Sequence, residues 1–156
     1  MKKVYIETTI FSFYYDERPA ADISARRSWT REWWDGCRSD YETVTSTAVL
    51  AELDRGGLAH RRRALDLALS LPAIAVEDDV ADIVRFYIEH RVMPRDPTGD
   101  ALHLALASLE KCDYLLTWNC EHLANANKFG HIRRVNTMLG LHIPLLITPL
   151  ELMRKP

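Results

Sequence analysis

The sequence predicts an α/β protein: a three-layer α/β/α domain built on a mainly parallel central sheet. Two observations predict it. Short apolar strand-like runs alternate along the chain with segments of helical period. Several of these runs, Val4 to Ile6 and Leu145 to Ile147 among them, are also continuously apolar, as strands buried on both faces are. At 156 residues, with 47% hydrophobic content, the chain is long enough for one well-buried core. No internal repeat, low-complexity segment or linker divides it, so residues 1–156 are expected to form a single domain.

The elements follow in order. Lys3 to Thr8 is β-rich and is expected to be the first strand, followed by a polar loop containing Pro19. Asp22 to Cys37 reads as a helix, with Trp29 and Trp33 one turn apart. Thr43 to Ser46 is a second strand, and Thr47 is placed to cap the next helix. There Ala48, Val49, Leu50 and Leu53 supply the apolar positions and Gly56-Gly57 the stop. Leu58 to Leu71 is a further helix ended before Pro72, and Ala73 to Val76 a strand. Val80, Ile83, Val84, Tyr87 and Ile88 follow the i, i+3, i+4, i+7, i+8 pattern of an amphipathic helix. The loop "RVMPRDPTG" leads into an almost wholly apolar helix that opens at Asp100. The strand Asp113 to Thr117 comes next, then a short helix near Glu121 to Asn127 and a last strand, Leu145 to Thr148.

A formal charge of −2 gives no global attraction to nucleic acid, so any such contact must rest on a local patch. The cysteines, Cys37, Cys112 and Cys120, are odd in number and contain no C-x-x-C pair. They read as reduced thiols rather than a disulfide frame or zinc site. Glu7 interrupts the apolar run at the N-terminus too early for a signal peptide, and no run approaches the roughly 18 residues of a membrane span. A cytoplasmic protein with no membrane association is expected.

In parallel α/β sheets, function gathers beyond the carboxyl ends of the strands. Three acids fall at that edge. Glu7 closes the first strand, Glu52 borders the apolar face of the helix after the second, and Asp100 opens its helix, where unpaired N–H groups favour an anion. Taken singly, Asp100 reads as a helix cap and Glu52 as a border residue, whereas Glu7 is costly to bury unless paired, coordinated or solvated. Gathered carboxylates repel one another unless a cation neutralises them. A hard divalent ion, Mg²⁺ or Mn²⁺, prefers such oxygen ligands. An ion so held polarises a phosphodiester without a serine or cysteine nucleophile.

The segments "VYIETT", "AVLAEL", "GDALHLALA" with "DYLLTWN", and "PLLITPLELM" resemble, in this order, the landmarks of the PIN-domain family. They span Val4 to Met153, and "GDALHLALASLEKCDYLLTWNCEHLAN" is the most specific. The resemblance implies a PIN-like parallel sheet and an acidic pocket binding Mg²⁺ or Mn²⁺. It also implies endoribonuclease activity on RNA, of the kind found in VapC-like toxins of type II toxin–antitoxin systems. Such a protein would pair with a cognate antitoxin and form a homodimer. Position by position, the family's acids fall on Glu7, Glu52 and Asp100, and its fourth site residue on Asn119. The family usually has Asp at the first position and often an acid at the fourth. Glu7 therefore extends further into the pocket, and Asn119 orients without adding charge, which weakens metal affinity. Glu121, two residues on, is the substitute acid, or else opens the next helix in solvent. Thr8 and Thr117 stand beside the acids, where their hydroxyls would hold metal-bound waters or close turns.

Other features read more plainly. His103 and His122 do not form an H-x-x-x-H or HD pair, and His103 reads as a satisfied core group. His122 lies where it would meet phosphate. Arg26, Arg27 and Arg31, and Arg61 to Arg63, would track an RNA backbone or form a solvated helix face. Trp29 and Trp33 would pack rather than stack on bases. The helix from Asp22 is also a candidate dimer or antitoxin groove. Two alternatives to a nuclease remain. One is a catalytically weakened PIN-fold protein that binds RNA or a partner. The other is a phospho-accepting signalling domain, for which "AIAV" ends in Glu77 and "LLIT" lacks the required lysine.

Overall fold

A computed structural model describes residues 1–55, 59–93 and 99–153. Five strands form a wholly parallel sheet: β1 (Lys3–Ile6), β2 (Glu42–Ser46), β3 (Ala73–Ile74), β4 (Tyr114–Leu116) and β5 (Leu145–Ile147). Eight α-helices among the described residues flank it in an α/β/α arrangement. They are α1 (Thr8–Tyr15), α2 (Ala21–Gly36), α3 (Thr47–Asp54), α4 (Ala59–Ala68), α5 (Asp79–Glu89), α6 (Gly99–Leu109), α7 (Ala126–Leu139) and α8 (Pro149–Leu152).

The strand order is β3-β2-β1-β4-β5. From β1 the chain builds outward through β2 and β3, then returns to add β4 and β5 on the other side. The order therefore reverses between β1 and β4, where α/β sheets open a crevice at their carboxyl ends. Register sets what stands there. Ile6 pairs with Leu116 and Leu116 with Ile147, so the next residues, Glu7 and Thr117, emerge side by side. The backbone N–H of Glu7 donates to the Leu116 carbonyl at 3.1 Å. Val4, Tyr5 and Ile6 of β1 and Leu115 and Leu116 of β4 are fully buried, as central strands covered by helices must be.

Several elements differ from the sequence reading. The first strand stops at Ile6, and Glu7 caps a helix, α1, in place of the expected polar loop. Thr and aromatic residues are weak helix formers, so α1 depends on that cap and on Ile10 and Phe11, buried in the core. Ser46, not Thr47, caps α3, its hydroxyl accepting from Val49 N at 3.2 Å. The third strand covers only Ala73–Ile74. The short helix near Glu121–Asn127 is a turn, and Asn125 instead caps the fourteen-residue α7, which ends at Gly140 in the left-handed conformation (φ 68°). With Gly130 inside it and Ile132, Val135 and Asn136 as its buried residues, α7 carries little apolar signal. The Gly56-Gly57 stop, Leu58 and residues 94–98 of the proline loop lie outside the described residues. No helix among the described residues is long and apolar enough to cross a membrane.

Candidate functional site

Glu7 is buried, at 4% exposure, and its charge is met by hydrogen bonds rather than by water. Its Oε2 accepts from Thr9 N at 3.0 Å, Thr9 Oγ1 at 2.7 Å and Thr117 Oγ1 at 3.0 Å. The first of these is an N-cap bond, so the dipole of α1 also favours the anion. Thr9 is fixed in turn by Trp118 N, which donates to its hydroxyl at 2.8 Å. Burial nevertheless holds the Glu7 carboxyl above the ordinary carboxylate range. The charge of His103 and the bonds from Thr9 and Thr117 offset that rise only in part.

Glu52 projects from the second turn of α3, and both its oxygens are engaged. Thr8 Oγ1 donates to Oε2 at 2.6 Å, and His103 Nε2 donates to Oε1 at 2.9 Å. Burial raises this carboxyl, but the His103 bond and charge and the Thr8 bond outweigh it, and the group ends below its usual range. A Cβ added at Gly99 would lie 3.0 Å from Glu52 Oε1, so the carboxylate rests directly against the start of α6.

Asp100 is the second residue of α6 and does not take the cap position that the sequence reading gave it. At 8% exposure it is buried. Its Oδ1 accepts from Asn119 Nδ2 at 3.0 Å, and its Oδ2 is buried without a partner among the described residues. Burial raises its pKa and the Glu52 charge adds to the rise, opposed by His122, His103 and the Asn119 bond. Asn119 is held by its backbone N–H on Thr117 Oγ1 at 3.0 Å, and its Oδ1 accepts from His122 N at 3.0 Å.

The acids therefore meet around His103. This residue is 1% exposed, and it feels the charges of Glu7, Glu52 and Asp100 together. Burial depresses its pKa, but the Glu52 bond and the three acids overcome that and leave it above the ordinary histidine value. His103 is a satisfied core group, as expected, yet it is also the hub of the acidic cluster. Its Nδ1 bonds Tyr5 Oη at 2.7 Å, and Tyr5 Oη bonds Ser46 Oγ at 2.8 Å.

The remaining residues fall into place around this centre. Thr8 and Thr117 contact the acids directly, holding Glu52 and Glu7. Glu121 does not join the cluster: its side chain is 83% exposed and pairs with His122 at 3.7 Å. Trp118 reaches across to α2, donating from Nε1 to Thr30 Oγ1 at 2.7 Å and stacking on Trp29 at 6.0 Å. Much of the first basic cluster is used inside the fold. Arg27 and Arg31 bond the backbone carbonyls of Asp16 and Tyr14, and Arg26 lies over the Trp118 ring. Trp33 is fully buried, as a packing role requires. Sequence reasoning missed Thr9, Tyr5, Ser46 and Gly99. The doubled threonine after Glu7 was the visible signal for Thr9; the others act through contacts that no local pattern encodes.

The chemistry of this donor set fits a hard cation. Its atoms are carboxylate oxygens, and one of them, Asp100 Oδ2, is buried and unpartnered, which is costly for an anion. Among the described residues no three His, Cys, Asp or Glu side chains close into a metal cage. Mg²⁺ does not need one, since it is commonly held by one or two carboxylates with water and substrate phosphate filling the rest.

No protein-family model matches the chain, and no curated protein matches it significantly in sequence. In three dimensions it is similar to VapC20 of Mycobacterium tuberculosis, a sarcin-ricin loop cleaving toxin. The TM-score is 0.56 and the identity 16%, over 72% of this chain and 86% of that one. It is also similar to a chain of VapBC2 from Rickettsia felis, solved bound to a DNA fragment from their promoter. Here the TM-score is again 0.56 and the identity 15%, over 94% of this chain and 98% of that one. The fold is thus the PIN-like fold of VapC proteins, as the motifs imply.

Proposed function

We propose that the chain is a metal-dependent endoribonuclease, the toxin of a toxin–antitoxin pair acting in the cytoplasm. The observation that carries this reading is that Glu52 bonds the buried His103 while Glu7 and Asp100 are linked through Thr117 and Asn119 at the β1/β4 crevice, with Asp100 Oδ2 left without a partner among the described residues. Of the three acids, one or two would touch Mg²⁺ or Mn²⁺ directly, Asp100 through that Oδ2, with water and substrate phosphate filling the remaining positions. When bound, the ion neutralises phosphodiester charge and polarises the scissile linkage. Asn119 keeps Asp100 turned into the site, Thr9 and Thr117 keep Glu7 there, and Thr8 steadies Glu52. The apolar body of α6 backs the whole arrangement, as a preorganised site requires.

VapC20 is a sarcin-ricin loop cleaving toxin, so a sarcin-ricin loop RNA is the first substrate to test, and a cognate antitoxin and a second copy are the expected partners. Purified protein incubated with such an RNA should cut it with Mg²⁺ or Mn²⁺ and stop when the ion is chelated. Glu7→Gln and Asp100→Asn should abolish cutting. No cleavage under any of these conditions, together with normal growth on expression without an antitoxin, would sink the proposal.

A second reading, a PIN-fold protein that binds RNA or a partner with weakened catalysis, is favoured by one observation. Asn119 supplies an amide where a fourth carboxylate would add charge, and His103 already balances part of the negative charge that remains. Unchanged RNA or partner binding in Glu7→Gln and Asp100→Asn, with no cleavage by the wild type, would select it.

A further inference from the structure

We infer that His103 is a positioning residue of this site, holding the Glu52 carboxylate in its working rotamer from the neighbouring helix α6. The inference rests on the proposed metal-dependent reading and adds a residue to it. Glu52 is a long, half-buried side chain with three rotatable bonds, and left alone it would sample several rotamers. Three contacts remove that freedom. His103 Nε2 holds Oε1 at 2.9 Å, Thr8 Oγ1 holds Oε2 at 2.6 Å, and Gly99, lacking a Cβ, lets Oε1 settle against α6.

His103 is itself held. A carboxylate only accepts, so the Nε2 proton faces Glu52 in either protonation state. On the other side, Nδ1 meets Tyr5 Oη, which meets Ser46 Oγ, and Ser46 caps the helix that carries Glu52. If the ring is neutral, Ser46 donates to Tyr5 and Tyr5 to Nδ1. If it is cationic, both bonds reverse. With the neutral ring every donor in this chain has an acceptor; with the cationic ring Ser46 Oγ accepts from both Tyr5 and Val49. The loop Ser46–Tyr5–His103–Glu52 thus ties the cap of α3 to a side chain in its second turn, through strand β1 and helix α6. Each carboxylate oxygen has a second lone pair, so a bonded Glu52 oxygen remains able to face a cation. Hydrogen-bond partners of this kind, one step behind a ligand, commonly cost about 10- to 100-fold in metal affinity or activity when removed.

Two isosteric amides separate this role from mere packing. His103→Gln places its amide near the Nε2 position and keeps a donor for Glu52. His103→Asn places it near Nδ1, keeping Tyr5 and abandoning Glu52. Both full-length variants are titrated with Mn²⁺, the free ion being followed by electron paramagnetic resonance, and assayed for RNA cleavage. The Asn variant should bind Mn²⁺ at least about tenfold more weakly and lose kcat with little change in KM for RNA. The Gln variant should recover most of both. Equal Mn²⁺ affinity in wild type and the Asn variant overturns the positioning role alone. A wild-type protein that takes up no Mn²⁺ overturns the metal reading and this role with it. Should the Asn variant not fold, substoichiometric Mn²⁺ added to the wild type must broaden the His103 ring resonances, and sharp resonances at saturation overturn the role.

Discussion

Asn119 donates from Nδ2 to Asp100 Oδ1 at 3.0 Å, beside an Asp100 Oδ2 that is buried without a partner among the described residues. The amide is neutral, so it orients the acid without competing for its charge. Asn119→Asp should replace that bond with a facing pair of carboxylates. Without metal the variant should lose about 1–3 kcal/mol of stability, the cost of an acceptor stripped of its donor. Mn²⁺ should restore the loss and raise the melting temperature more than it does in wild type. Melting curves with and without the ion check this; an unchanged metal-free curve refutes it.

Glu7 is ionised at a cost, since burial raises its carboxyl pKa from 4.5. For a raised folded-state pKa, the associated stability is complete below the unfolded value of 4.5 and is lost as pH rises through the folded value. That stability therefore diminishes as pH rises above the folded value. Glu7→Gln, which retains an oxygen for Thr9 and Thr117, should therefore melt higher than wild type near neutral pH while losing RNA cleavage. The difference should shrink as pH falls. A variant less stable than wild type near neutrality would show that the charge itself is needed by the fold.

His103 carries the same sign. Its folded-state pKa lies above the ordinary 6.5, so its pairing with Glu52 contributes fully below 6.5 and fades as pH rises through the folded value. The metal-free protein should lose melting temperature as pH is raised from 6.5 into the alkaline range, and His103→Gln should flatten that slope. Glu52, whose pKa is lowered, acts oppositely: its contribution is present above 4.5 and lost in acid. A wild-type melting temperature that climbs with alkaline pH would contradict the pairing.

Gly99→Ala should separate helix stability from site geometry. Ala is the better helix former by up to about 1 kcal/mol, so the fold should survive. Its Cβ would stand 3.0 Å from Glu52 Oε1, so the carboxylate must shift by a few tenths of an ångström and strain its bond to His103. Mn²⁺ affinity and cleavage should both fall while the melting temperature holds. Full activity in the variant would mean that the Glu52 rotamer does not matter.

Thr30→Val supplies the contrast. It leaves Trp118 Nε1 buried without its 2.7 Å acceptor, at a cost of about 1–3 kcal/mol. Since Trp118 N still bonds Thr9, Mn²⁺ affinity should change little. Chemical denaturation measures the first effect and ion titration the second.

Much of the framework was legible in the residues. Val4, Tyr5 and Ile6 form an apolar run because β1 is buried on both faces, and Val80, Ile83, Val84 and Tyr87 repeat with helical period because α5 lies on the core. Helix α1 was illegible because its Thr and aromatic residues have low helix propensity and its stability comes from the Glu7 cap and buried contacts. Helix α7 was illegible because few of its residues face the core.

The sequence alone determined the α/β alternation, the positions of the strands, and the placement of Glu7, Glu52 and Asp100 at strand and helix ends, since all of these follow from local period and composition. Only the tertiary structure decided how those acids are held. Thr117 reaches Glu7 across 110 residues of chain, Tyr5 reaches His103 across 98, and His103 reaches Glu52 across 51. Hydrogen bonds over such distances depend on strand order and register, which bring together side chains whose own neighbourhoods carry no trace of the partner.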